Sequence, residues 1–142
     1  MNFQNAITTC LKKKYANFSG RASRSEFWYF YLFTYSIYAI LIISGIYIAS
    51  IFFWILGGFF LVTFVPFIAV IARRLHDVNK SGWFQILPLP FQALSRVQND
   101  IIAILFSLIA LGLYIYLLVL WCSKGDKKNN RFGKSINLRK KG

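Results

Sequence analysis

An all-α, polytopic membrane helical bundle is the fold class this sequence predicts, and three observations predict it. The 142 residues are 57% hydrophobic and 19% aromatic but only 15% charged, against about 25% charged in an ordinary soluble domain. No Asp, Glu, Lys or Arg occurs from Phe27 to Ala72, from Ser81 to Ser95, or from Ile101 to Ser123. These windows are apolar on every side rather than along one stripe, the pattern of helices surrounded by lipid. About 20 such residues cross a hydrocarbon core at 1.5 Å rise per residue. The expected arrangement is one domain of about four hydrophobic segments, one short or re-entrant, preceded by an N-terminal amphipathic interfacial helix.

Residues 2–18 place Phe3, Ile7, Cys10, Leu11, Tyr15 and Phe18 at spacings of three and four, with Lys12, Lys13 and Lys14 grouped near the middle. That pattern predicts an amphipathic helix lying in the headgroup region, or else docked on the protein's own cytoplasmic loops. Ser19-Gly20 ends it. Ser23-x-x-Glu26 then forms a capping box in front of the first spanning segment, residues 24–50. Eleven of the residues from Phe27 to Ser50 are Leu, Ile or Phe, each contributing roughly 0.3 to 0.6 kcal/mol to insertion.

A turn too short for anything but a hairpin leads to the second segment, 53–73. Gly57-Gly58 predicts close helix packing at its outer end. Pro66 predicts a kink, with the carbonyl it leaves free satisfied by a neighbour. Residues 83–95, with Pro88 and Pro90, form either a thin kinked helix or a re-entrant turn. The last segment, 101–122, carries Ala103, Ser107, Ala110 and Gly112 as a small-residue packing face. Residues 123–142 are a basic tail. The first apolar stretch is longer than a signal-peptide core and runs straight into a second one, so secretory cleavage is not expected.

The net charge of +13 raises both nucleic acid and anionic membrane as partners. Its distribution favours the membrane. Sixteen of the seventeen basic residues lie in the N-terminal stretch, the loop from Arg73 to Lys80, and the tail; Arg96 is the exception. The positive-inside rule then places all three stretches, and both termini, in the cytoplasm. Trp28, Trp54, Trp83 and Trp121 each fall near the end of a different segment, as interfacial anchors do. Cys10 and Cys122 form no CxxC pair and read as packing residues. No metal site and no cofactor is expected.

Three polar islands interrupt the apolar runs: Phe18-Ser-Gly-Arg-Ala-Ser-Arg-Ser-Glu-Phe-Trp28; Ala72-Arg-Arg-Leu-His-Asp77 with Lys80-Ser-Gly-Trp83; and Asn130-Arg-Phe-Gly133. In this order the set resembles the domain of unknown function 805 family of small bacterial inner-membrane proteins, from about Leu11 to Gly133. The resemblance implies a multi-spanning helical protein of the inner membrane and transfers no activity. This chain departs from the family pattern in an inserted polar turn near Arg96 to Asp100, which favours a hairpin there. It also has Gly125-Asp-Lys-Lys128 where the family has a Gly-Thr-x-Gly turn, which predicts a less tightly folded tail.

The even number of crossings brings Arg21, Arg24, Glu26, Arg73, Arg74, His76, Asp77 and Arg131 to one interface. Glu26 is expected to pair with Arg73 or Arg74, and Asp77 with Arg21, Arg24 or Arg131, because a paired arginine keeps a carboxylate ionised at low dielectric. The cluster reads foremost as a topological anchor, then as a site for anionic lipid headgroups. The leading function is thus a structural or interaction role, with lipid, a membrane-protein partner or a second copy as partner. A small transporter or channel component is one alternative, although the spanning windows carry no charge. A lipid-modifying enzyme using His76 and Asp77 is another, although adjacent helical residues do not face each other. No catalytic residue is assigned, and specific nucleic-acid binding is not expected.

Overall fold

The computed structural model describes residues 1–136. Helix α1 (Phe3–Thr8) runs into a π turn (Thr9–Lys13), followed by α2 (Arg24–Tyr47), α3 (Ile51–Asp77), a 3₁₀ turn (Gly82–Ile86), α4 (Pro88–Leu94) and α5 (Asp100–Cys122). Among the described residues only helices and turns occur, apart from one isolated bridge between Asn130 and Gly133. Helices α2, α3 and α5 are long and apolar enough to cross a membrane.

Each boundary has a local cause. Ser23 is in extended backbone and its hydroxyl accepts the Glu26 amide at 3.1 Å, which starts α2. Only half of the expected capping box forms: the Glu26 carboxylate turns away to Arg73. Asn99 caps α5 in the same way, accepting from the Ile102 amide. The α2–α3 hairpin closes over Ile48 to Ser50. Close packing at that end comes from Gly45, where a Cβ would meet the Phe53 ring at 2.8 Å. Gly57 and Gly58 do not have the expected role, since a Cβ on either would meet nothing within 4 Å.

The segment from 83 to 95 is broken, as its prolines require. A 3₁₀ turn and the seven-residue α4 replace a continuous helix. Pro88 sits at the start of α4, where its missing N–H costs no hydrogen bond. α4 lies against α5: Phe91 meets Phe106, and Tyr114 donates to Gln92 at 2.7 Å. The polar stretch Ser95 to Asn99 makes the turn of this second hairpin. α5 rises about 35 Å, and its last turn lies beside Arg74 of α3. The chain therefore leaves the C-terminal end of α3, travels to the far end and returns.

α1 does not stand apart from the bundle. Ala6 and Cys10 are fully buried, and Phe3 packs edge-on against Tyr29 and Phe33 of α2. The helical region is also shorter than 2–18, ending at Lys13. Tyr15, just beyond it, reaches α3. Pro66 has no N–H to offer the Val62 carbonyl one turn earlier, and the Tyr15 hydroxyl donates to that carbonyl at 2.7 Å. The N-terminal segment thus supplies the donor that the proline removes.

The core lies at one end of the molecule. Cys10, Ala22, Phe27, Phe30, Val70, Ile71, Leu75 and Leu117 form it, with Trp28 and Trp121 packed alongside. Farther out, the two hairpins present apolar surface: Trp54, Ile101 and Leu61 are each more than 70% exposed. Such surface suits lipid rather than water.

Candidate functional site

The C-terminal end of α3 gathers the polar islands. Arg73 and Arg74 follow one another on the helix and so point to different neighbours. Arg73 is completely buried; its guanidinium donates to the Glu26 carboxylate and lies 3.9 Å from Cys10 Sγ. Its Nε has no hydrogen-bond partner among the described residues. Burial, reinforced by the Glu26 carboxylate, pushes the Cys10 thiol up to about 11 despite the opposing charge of Arg73.

Arg74 is equally buried and faces α5. It donates to the Trp121 carbonyl at 3.0 Å, to the Ser123 carbonyl, and to Asp77 Oδ2 at 2.6 Å. Arg21 approaches Asp77 from the other side, its Nε 2.8 Å from Oδ1. The remaining Arg21 nitrogens hold the tail, donating to the carbonyls of Asp126 and, at 2.9 Å, Lys128. One carboxylate thus binds two arginines, and those arginines clamp the chain before α2 and the chain after α5.

Of the expected pairings, Glu26 with Arg73 and Asp77 with Arg21 are formed. Arg74 goes to Asp77 rather than Glu26, an i,i+3 contact that helical spacing already allowed. Arg24 and Arg131 do not reach Asp77. Arg24 is exposed on the first turn of α2, and Arg131 lies over the Phe132 ring, 4.7 Å from its centroid.

The tail is folded where a looser one was expected. The Asp126 amide donates to the Asp77 carbonyl at 2.8 Å, and Asn130 Nδ2 donates to the His76 carbonyl at 2.9 Å. Ser135 is buried and donates to the Asp126 carbonyl. Gly125 lies so close to Asp77 that a Cβ there would fall 1.9 Å from Oδ2. The part of the basic tail beyond residue 136 lies outside the described residues.

His76 and Asp77 diverge. His76 Nδ1 donates to the Gly20 carbonyl at 3.1 Å, and its ring stacks on Phe132 at 3.8 Å between centroids. The Asp77 carboxylate is held by arginines on another side of the helix, so the two side chains make no acid–base dyad. Among the described residues no cluster of His, Cys, Asp and Glu is suited to a metal ion.

The four tryptophans divide between the two ends. Trp28 and Trp121 flank Phe27 beside the cluster, with ring centroids at 5.0 and 5.3 Å from it. Trp83 is exposed at the start of the 3₁₀ turn, and Trp54 is exposed near the start of α3 at the opposite end.

Sequence reasoning missed several members of the site. Cys10 belongs to it through a contact with α3 made across 63 residues of chain. Asp126, Asn130 and Ser135 organise the tail. Only Asn130 carried a signal, as part of the third island.

Around this core lie two adjoining cavities rich in cations. One, of about 360 Å³, is bounded by Ser23, Arg24 and Ser25 on α2 and by Lys124 to Lys127 on the tail. The other, of about 420 Å³, is bounded by Lys127, Lys128 and Arg131, with Asn79 opposite.

Three spanning-length helices joined at a buried arginine–carboxylate cluster define a small polytopic integral membrane protein. The family described as "Protein of unknown function (DUF805)" matches residues 15–134, and the chain belongs to that family. It is 31% identical over 122 residues to "Inner membrane protein YhaI" of Escherichia coli (strain K12), covering 85% of this chain and 86% of the relative. It is 29% identical over 138 residues to "Inner membrane protein YhaH" of the same organism, covering 89% and 92%. These relatives and the three apolar helices support the inner membrane as its location. No solved structure matches the chain.

Proposed function

We propose that this protein has a structural or interaction role in the inner membrane, turning a cationic cytoplasmic face toward anionic lipid headgroups. One observation carries the reading. The buried arginines spend their charge internally, on Glu26, Asp77 and backbone carbonyls, whereas Arg24, Lys124 and Lys127 border an open cavity at the cluster end. Asp77 also borders that cavity but is offset by two arginines, leaving Asp126 as the opposing acid. A phosphate there would meet a surplus of positive charge. The orientation follows the positive-inside rule, which counts basic residues flanking the spans.

The test uses the full chain in neutral detergent with phosphatidylglycerol or phosphatidylcholine added, and native mass spectrometry counts the lipids retained. Phosphatidylglycerol should be retained preferentially. Replacing Arg24, Lys124 and Lys127 together by Gln should weaken retention by roughly 100-fold, at about 1 kcal/mol per cation. Equal retention by this variant would sink the reading. Green fluorescent protein fused after Gly142 should fluoresce and alkaline phosphatase fused there should be inactive; the reverse pattern would overturn the orientation.

A further inference from the structure

The last residues of α3 serve two different surroundings. Asp77 borders the cationic cavity, whereas His76 borders a separate one of about 450 Å³ on the other side of the helix. This second cavity extends along α3 from His76 to Ile68, a rise of about 12 Å. It passes from the polar end of the bundle into the apolar zone. Its lining includes the apolar Ile68, Ala72, Ile86 and Trp83 together with the polar Ser81 and Gln85.

The histidine presents a defined atom. With the Nδ1 proton given to the Gly20 carbonyl, the neutral ring has Nε2 as an acceptor. Gly82 is packed against Ala72 close to that edge, where a Cβ would lie 3.5 Å from Nε2. No charged side chain is among the described residues lining the cavity. Arg131 lies over the Phe132 ring and Lys80 lies over Phe84, and neither borders it.

These features select a ligand class. A phosphate would lose its hydration here without a cation lining the walls, which is costly. An acyl chain matches the apolar walls, and a hydroxyl donor matches Nε2. The geometry points to a site for a lipid whose head is an uncharged hydroxyl, the class of diacylglycerol, with the hydroxyl donating to His76 Nε2 and one chain along Ile68 and Ile86. This site is independent of the cationic face, and loss of phosphatidylglycerol retention would leave it standing.

The experiment places the full chain in phosphatidylcholine nanodiscs with a diacylglycerol carrying a photoreactive acyl chain, and with the phosphatidic acid of matched chains as the control probe. The diacylglycerol probe should label peptides spanning residues 68–86, and excess dioleoylglycerol should compete. His76→Phe retains an aromatic ring beside Phe132 and removes the acceptor, and should lower labelling about five- to tenfold, the worth of one hydrogen bond. Ile86→Trp crowds the apolar wall and should lower it similarly. Ile86 is 41% exposed, so this variant keeps the test valid if loss of the Gly20 contact unfolds the first. Equal labelling by the phosphatidic acid probe, or undiminished labelling of a folded variant, would overturn the assignment.

Discussion

The two ends of the bundle are built on different principles. At the cluster end, the π turn, the segment before α2, α2, α3, α5 and the tail converge on three buried arginines and two carboxylates. At the far end, α2 contacts α3 and α4 contacts α5, and most large side chains are exposed. Apolar contact in lipid is weakly directional, so the far end needs only the right length and hydropathy. A buried ion pair tolerates little error, because an unmatched charge at low dielectric costs several kcal/mol. Positional precision is therefore concentrated where the polar islands meet.

The strongest challenge to this contrast is removal of a single buried partner. Arg73→Met leaves Glu26 without its cation and should destabilise the protein by about 3–5 kcal/mol, measured by reversible unfolding in mixed micelles. Adding Glu26→Gln should recover part of that loss. If Arg73→Met unfolds like the parent, the buried pair with Glu26 is not what fixes α3 against α2 at the cluster end.

Glycines sharpen the comparison. Gly125→Ala pushes a methyl group into Asp77, which two arginines already hold in place, and should cost about 1–3 kcal/mol. Protease cleavage in the tail should rise with it. Gly57→Ala at the far end and Gly112→Ala midway along α5 meet open space and should each stabilise by about 0.4–1 kcal/mol. A loss of stability at Gly57, or a change of oligomeric state, would reveal close contact with another chain.

Between these extremes lies the Tyr15 link. Tyr15→Phe should cost about 1 kcal/mol by leaving the Val62 carbonyl without a donor. In a Pro66→Ala background the helix supplies its own N–H, so the same change should cost close to nothing. Additive effects in this double-mutant cycle would show that the hydroxyl does not serve the proline's carbonyl. The smallest perturbation is chemical. Near pH 7.5 a maleimide should modify exposed Cys122 and spare Cys10, whose buried thiol, raised to about 11, is almost wholly protonated. Unfolding should make both reactive.

Several features were readable from residues alone because they depend on local properties. Hydrophobicity sums along a window, so the apolar runs identified the long helices, and Pro88 and Pro90 marked the broken one. The inserted polar turn marked the α4–α5 hairpin, and Ser23 marked the start of α2. Tertiary structure decided whatever depended on which side of a helix meets which distant neighbour. It separated Arg73 from Arg74, gave Asp77 two arginines, sent Tyr15 to Val62, and turned His76 and Asp77 toward different cavities. The reason is physical: burial in lipid is nearly independent of partner, whereas an ion pair or hydrogen bond exists only when two atoms from separate stretches of chain come within about 3 Å.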